Sequence, residues 1–304
     1  MTGATGFIGR PLCAELVGAG HRVTALARDA ERARGLLGPS VAVAAWFSAD
    51  DAWRQAVARA DVVIHLAGES VAGQRWTPEF KAKIRASRVE PTQVLVEAMR
   101  QAQRPTTLIS ASAVGYYGDR DDETVTEASP PGKGFLAEVC VAWEAEALRA
   151  REAGARVVLM RTGVALGTGG ALEKMLHPLP LPFNPWDLGL GGPMGSGRQW
   201  MPWIHLDDVV GLYAWAATTP QVAGACNATA PNPVTNAEFA HAIGRSLHRR
   251  AGLSVPAFAL KLALGEFADS LLTGQKVIPT VPQTLGYRFR FPDLDAALAS
   301  LLRT

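Results

Sequence analysis

Charge of one sign, long apolar runs and cysteine are all scarce in this chain. Of its 304 residues, 30 are Lys or Arg and 28 are Asp or Glu, which leaves a formal net charge of +2. That excess is too small to draw in a nucleic-acid backbone, and no Lys/Arg run is interleaved with aromatics, so no nucleic-acid partner is expected. No apolar stretch reaches the roughly 18 residues a bilayer span needs, so no membrane segment is expected either. No signal peptide is visible. Cys13, Cys140 and Cys226 stand alone, odd in number and without metal-ligand spacing. The expectation is buried thiols in a reducing, cytoplasmic compartment, with no metal site.

Much is present. Hydrophobic content of 48% and charged content of 19% suit a globular chain with a sizeable core, one large domain or one and a half. Near the start, Gly3-Ala4-Thr5-Gly6-Phe7-Ile8-Gly9 places three glycines at every third position, and an amphipathic run, Arg10 to Ala19, ends at Gly20. Physically this is a tight turn feeding a helix N-terminus. Glycine lets the backbone approach a pyrophosphate, and the first helical N–H groups point at it. A helix and then the strand-like His21–Ala27 follow, the context a dinucleotide site requires. The turn should also be preceded by a hydrophobic strand, yet only Met1 and Thr2 stand before Gly3. The expectation is a true start upstream, because neighbours of a missing central strand would expose unpaired backbone groups.

Strand and helix patterns then alternate. Strands are expected over Val41–Trp46, Asp61–Gly68, Thr107–Ser112 and Arg156–Arg161. Helices are expected over Pro78–Gln101 and Gly134–Ala153. Continuous apolar strands between helices indicate a parallel sheet covered on both faces. Residues 167–203 are rich in Gly, Pro and Trp and include the run Pro178-Leu179-Pro180-Leu181-Pro182, which reads as a long flap over a site. Beyond it, a helix from about Leu206 to Ala217, a strand around Cys226–Thr229 and a helix over Asn236–Arg249 are expected. The fold class is therefore α/β: a Rossmann-type doubly wound parallel sheet over residues 1–165, with the strand near 225–230 returning to it. A smaller C-terminal α+β substrate lobe spans 166–304.

The residue just past the second strand of such a sheet reads the ribose. A carboxylate there accepts from the 2′-hydroxyl, whereas an arginine favours a 2′-phosphate. Ala27-Arg28-Asp29 places Arg28 there, so NADP is favoured, and Asp29 keeps NAD as the alternative.

The glycine motif, His65-Leu66-Ala67-Gly68, Ser110-Ala111-Ser112 with Tyr116-Tyr117-Gly118, and Trp203-Ile204-His205-Leu206-Asp207-Asp208 together resemble the extended short-chain dehydrogenase/reductase superfamily. Ala67-Gly68-Glu69-Ser70, Ile84–Arg88, Gly189–Gly197 and Gly274-Gln275-Lys276-Val277-Ile278-Pro279 narrow this resemblance. They point to an atypical epimerase/dehydratase-like branch that carries its own C-terminal domain of unknown function, here about 250–300. The resemblance implies a cofactor site of Gly3, Thr5, Gly6, Phe7, Ile8, Gly9, Arg28, Leu66, Ala67, Gly68, Glu69, Ser110 and Arg161. It also implies a small polar or nucleotide-linked, sugar-like substrate and a homodimer formed through the two long helices.

The superfamily's chemistry uses a Tyr-x-x-x-Lys pair, in which the tyrosine moves a proton while the nicotinamide moves hydride. Aligned on Trp143-Glu144, this chain has Leu136 at the tyrosine and Cys140 at the lysine, while Arg88 replaces an asparagine. Ser112 keeps the substrate-oxygen position, and Tyr116 and Tyr117 are the candidate replacement donors, with Glu69 and Lys133 nearby. A catalytically degenerate NADP(H)-sensing protein is the alternative. His65 reads as a core histidine, and the Asp207–Asp208 carboxylates as a helix cap pinning the sheet to the C-terminal part. Arg198, Gln199 and Trp200 could reach a ligand anion or form flap surface.

Overall fold

In the computed structural model, which describes residues 1–49, 51–102, 106–177 and 185–302, strand and helix alternate through the first two thirds of the chain. In chain order these are α1 (Gly9–Gly18), β1 (Thr24–Ala27), α2 (Ala30–Leu37), β2 (Ala42–Ala45), α3 (Ala52–Arg59), β3 (Val62–His65), α4 (Pro78–Gln101) and β4 (Thr107–Ala113). Next come β5 (Thr124–Val125), α5 (Phe135–Leu148), β6 (Arg156–Thr162), β7 (Val164–Leu166) and α6 (Ala171–Leu176). β8 (Trp200–Met201), β9 (Trp203–His205), α7 (Leu206–Thr218), β10 (Gly224–Ala228), β11 (Val234–Thr235) and α8 (Asn236–Ser246) follow. The chain closes with α9 (Ala257–Leu264), α10 (Asp269–Leu272), β12 (Lys276–Val277), α11 (Thr280–Thr284) and α12 (Leu294–Leu302).

β10, β6, β4 and β3 pair in that order, all parallel, and β1 pairs β2 in parallel. Thr2 joins the two groups through parallel bridges to Leu26 and His65. Thr2 N donates to Ile64 O and Leu26 N to Met1 O. The strand expected ahead of the glycine turn is thus represented by Met1 and Thr2 at the centre of the sheet. Toward the strand N-termini the gap between β1 and β3 opens into a cavity of about 860 Å³.

Side-chain alternation divides the core. Ile109, Val158 and Met160 pack with Leu12 and Leu16 of α1 and Val210 and Tyr213 of α7. Their strand neighbours Leu108, Val157 and Leu159 pack on the opposite face with Trp53, Leu95, Met99 and Ala147. Two opposite apolar faces on one set of strands is what burial beneath helices on both sides requires. Thr77 caps α4, accepting from Phe80 N, with Pro78 in the first turn. The third core belongs to the C-terminal lobe, where Trp203, Phe239, Ile243, Leu294 and Leu298 meet.

One short pairing docks that lobe, β12 running parallel to β5, and another, β11 antiparallel to β8, ties the lobe together internally. A Cβ on Gly274 would lie 2.0 Å from Trp200 O, so only glycine permits this approach. The proline run Pro178–Pro182 lies outside the described residues. All three cysteines are buried and free. Among the described residues, no helix is long and apolar enough to cross a membrane.

Candidate functional site

The carboxyl ends of the parallel strands bring the glycine turn, the β1 end, the β3 end and the β4 end to one side of the sheet, where such sheets take ligands. Gly3 sits at φ +65°, and a Cβ there would lie 2.7 Å from the Leu66 carbonyl carbon. A Cβ on Gly9 would lie 2.1 Å from Gly3 O. These two glycines let the turn close on itself and against the β3 loop. At Gly6 a Cβ would meet only Gly3 O, at 3.2 Å, so its outer face is open. At the start of α1, Arg10 N donates to Gly6 O and Leu12 N to Ile8 O, and Pro11 has no N–H, so the donors a pyrophosphate could meet come from the turn ahead of the helix. Phe7 turns elsewhere: its ring packs on the loop after β7, 2.4 Å from where a Gly170 Cβ would be.

His65 fixes the neighbouring loop. Its Nδ1 lies 2.6 Å from Thr2 Oγ1, which also accepts from Leu66 N and Ala67 N at 3.2 and 3.3 Å. Its Nε2 lies 3.0 Å from Thr92 Oγ1, whose own proton goes to Arg88 O. That pattern assigns the proton to Nε2 of a neutral ring. Burial pushes this histidine down to about 3. It is a positioning residue, and the loop it holds borders a cavity of about 540 Å³. Arg28, Gly68, Glu69 and Lys83 line that cavity, as do Trp46 and Phe47, whose rings stack 4.7 Å apart. Arg28 is exposed.

At the β4 end the hydroxyl of Ser112 is taken. It donates to Glu144 Oε1 at 2.6 Å. Arg161 clasps the same carboxylate, Nε to Oε1 at 2.9 Å and Nη2 to Oε2 at 2.8 Å. Its Nη1 donates to Tyr117 Oη at 3.0 Å, and Tyr117 donates to Asn227 Oδ1 at 2.6 Å. Burial would lower the Arg161 guanidinium, but Glu144 and Tyr117 outweigh it and raise the group. Tyr117 is fully buried, and burial pushes its hydroxyl up to about 12. Tyr116 is half-buried, with the Arg161 guanidinium 3.4 Å from its ring centre.

Leu136 and Cys140 stand at the start of α5 beside this network. Burial, helped by the Glu144 charge, pushes the Cys140 thiol up to about 11, which leaves it protonated and a poor nucleophile. Arg88 lies between Gly68 and the Trp143 ring, its guanidinium carbon 3.3 Å from where a Gly68 Cβ would be and 5.3 Å from that ring. Ser110 is buried and donates to Ala111 O. Lys133 is exposed.

The glycine-rich loop before β8 ties into the lobe. Gln199 Nε2 donates to Met194 O and Leu271 O, Trp200 Nε1 donates to Asp122, and Arg198 is exposed. At α7 the division of labour differs from the sequence reading. His205 Nδ1 is the cap, accepting from Asp207 N, while Asp208 pins the C-terminal segment by accepting from Arg290 N and Phe291 N.

Sequence reasoning passed over Glu144 as a functional group and missed Lys83. Glu144 had a signal: it falls at helical spacing from the apolar Ala137, Cys140 and Ala147, so it had to be buried, and Arg161 closing an apolar strand needed such a partner. Among the described residues, no group of three or more His, Cys, Asp or Glu side chains could hold a metal ion.

Comparison with known proteins agrees with this architecture. The model of the NAD dependent epimerase/dehydratase family matches residues 1–228, and that of Domain of unknown function (DUF1731) matches 255–301. The "epimerase family protein SDR39U1 homolog, chloroplastic" of Arabidopsis thaliana is 41% identical, covering 100% of this chain and 86% of its own length. The crystal structure of human epimerase family protein SDR39U1 with NADPH matches with a TM-score of 0.83 and 36% identity, over 99% of this chain and 97% of that one. A nucleoside-diphosphate sugar epimerase from Corynebacterium glutamicum matches with a TM-score of 0.75 and 37% identity. There 99% of this chain is covered but only 57% of that protein, so the chain spans little more than half of it. With its parallel α/β sheet, its glycine turn and a family match over three quarters of its length, the chain belongs to the NAD dependent epimerase/dehydratase family.

Proposed function

We propose that this chain binds NADP(H) across the carboxyl edge of its sheet and acts as an oxidoreductase or epimerase on a small polar or nucleotide-linked, sugar-like substrate. The observation that carries the reading is the pairing of the open Gly6 turn with the cation-bearing cavity at Arg28. The first suits a pyrophosphate and the second a 2′-phosphate. The human relative's crystal structure with NADPH supports it. In this reading Gly3, Thr5, Gly6, Ile8 and Gly9 hold the pyrophosphate, Arg28 the 2′-phosphate, and Leu66 to Glu69 the adenosine side. Bound, the coenzyme supplies hydride transfer. Ser112 and Tyr116 face the reacting end, and Arg161 and Tyr117 hold them there. A cytoplasmic homodimer formed through α4 and α5 belongs to the same reading.

A second reading is favoured by one observation. With Ser112 donating to Glu144, and Leu136 and Cys140 where a proton-transfer pair would stand, the nicotinamide end is built as a closed ionic network. That suits a sensor that keeps the cradle and has lost catalysis.

Calorimetric titration with NADPH and NADH, repeated on Arg28→Ala, tests the first reading. NADPH should bind, and the variant should lose affinity for NADPH by about tenfold, one charge-assisted contact, while NADH is unaffected. Failure of both coenzymes to bind overturns the reading. Loaded protein offered carbonyl compounds and nucleotide sugars separates catalyst from sensor: a coenzyme that never changes redox state establishes the sensor.

A further inference from the structure

Lys83 lies outside every role assigned so far, yet it faces the nucleotide cavity from α4. Lys83, Ser87 and Pro91 recur at four-residue spacing on that helix and all line the cavity. Lys83 Nζ stands 3.0 Å from Glu69 Oε2. Glu69 N is anchored to Ser87 Oγ at 3.1 Å, and Ser87 in turn donates to Ile84 O. Glu69 is therefore fixed by its backbone to the same helical stripe that carries its cation. Arg28 lines the cavity from the end of β1.

We propose that the Lys83–Glu69 pair sets the coenzyme preference: Lys83 neutralises Glu69 and adds, with Arg28, a second cation to the 2′-phosphate site. This rests on reading the cavity as the adenosine end of an NADP(H) site. A carboxylate lining the cavity beside Arg28 can accept from a ribose 2′-hydroxyl and repels a 2′-phosphate. Left alone, Glu69 would favour NADH. Lys83 cancels its charge, and the Lys83 hydrogen bond, with Arg28 adding, holds the carboxyl below the usual carboxylate range, so it stays ionised and paired. When a phosphate carrying a charge of about −1.5 to −2 enters, the ammonium can bridge both anions.

The test uses the full chain and four proteins: wild type, Lys83→Met, Glu69→Gln and the double variant. Each is titrated calorimetrically with NADPH and with NADH at one ionic strength, because such contacts are screened by salt. Lys83 is exposed and Glu69 partly so, and a melting curve for each variant confirms folding. Lys83→Met should weaken NADPH binding by about tenfold while leaving NADH unchanged or tighter, moving the preference toward NADH. Glu69→Gln should tighten NADPH, and the double variant should regain part of the Lys83→Met loss. Equal effects of Lys83→Met on both coenzymes, or NADPH affinity kept within about twofold, the size of a spent surface pair, overturn the proposal. If wild type binds neither coenzyme, the underlying NADP(H) reading fails first, an outcome distinct from intact binding indifferent to Lys83.

Discussion

Glu144 and Arg161 bury opposite charges against each other, and each is about 5% exposed or less. Neither can be solvated if the other is removed. Breaking such a pair costs on the order of 3–5 kcal/mol, because one uncompensated charge stays inside. Replacing both by apolar groups of similar volume is often neutral. Arg161→Met or Glu144→Leu alone should therefore lower unfolding stability by that amount in urea titration, and the double variant should recover most of it. A double variant no more stable than either single one would show that the network contributes hydrogen bonds the apolar pair cannot replace. The candidate site was partly legible here. Ser112, Tyr116, Tyr117 and Arg161 were readable as a group because each closes or follows a strand. That Ser112 is already spent on Glu144 was not, since the partners lie 32 residues apart and meet only when α5 packs on β4.

Elements were most legible where local chemistry and burial agree. The α4 boundaries, Pro78 and Gln101, follow from a threonine cap, a first-turn proline and an apolar stripe. The segment beyond α8 was less legible because its helices are short and its strand β12 is a two-residue pairing. Asp208 shows how such a segment is held. Fully buried in α7, it accepts from Arg290 N at 2.7 Å and Phe291 N at 2.9 Å, while Tyr287 Oη reaches the same residue. The pair of backbone donors fixes the strandless segment leading into α12, whose Leu294 and Leu298 complete the third core. Asp208→Ala takes the acceptor from two part-buried backbone donors, at about 1 kcal/mol each, the low end of the range for an unsatisfied group. Hydrogen exchange should show residues 287–302 opening well before the parallel sheet. Uniform loss of protection across sheet and lobe would mean that the two unfold as one unit.

At the scale of the whole molecule, the parallel sheet and its helical cover were readable from alternating apolar runs, and the one place where that pattern was broken, the centre of the sheet, is held by Thr2 and His65. The same histidine links core stability to the loop that borders the Arg28 cavity, so proton binding at one buried ring should be felt by the entire fold. Its ordinary value is near 6.5, and burial brings it to about 3 in the native state. Below pH 6.5 the unfolded chain takes up a proton at this residue and the folded chain does not, so the unfolded state is favoured increasingly as pH falls. Stability from this source is complete above about pH 6.5 and is lost progressively from there toward pH 3, with a limiting slope of about 1.4 kcal/mol per pH unit. His205, also lowered mainly by burial, acts in the same direction. Carboxylates contribute as well, so the difference between wild type and a variant isolates His65. In His65→Asn a carbonyl can accept from Thr2 and an amide can donate to Thr92, but nothing titrates. Urea midpoints between pH 7 and 4.5 should fall less steeply for His65→Asn, and the two curves should converge as pH drops. Parallel curves would show that His65 binds its proton equally in both states, and that the Thr2–His65–Thr92 chain is not the acid-sensitive joint of this sheet.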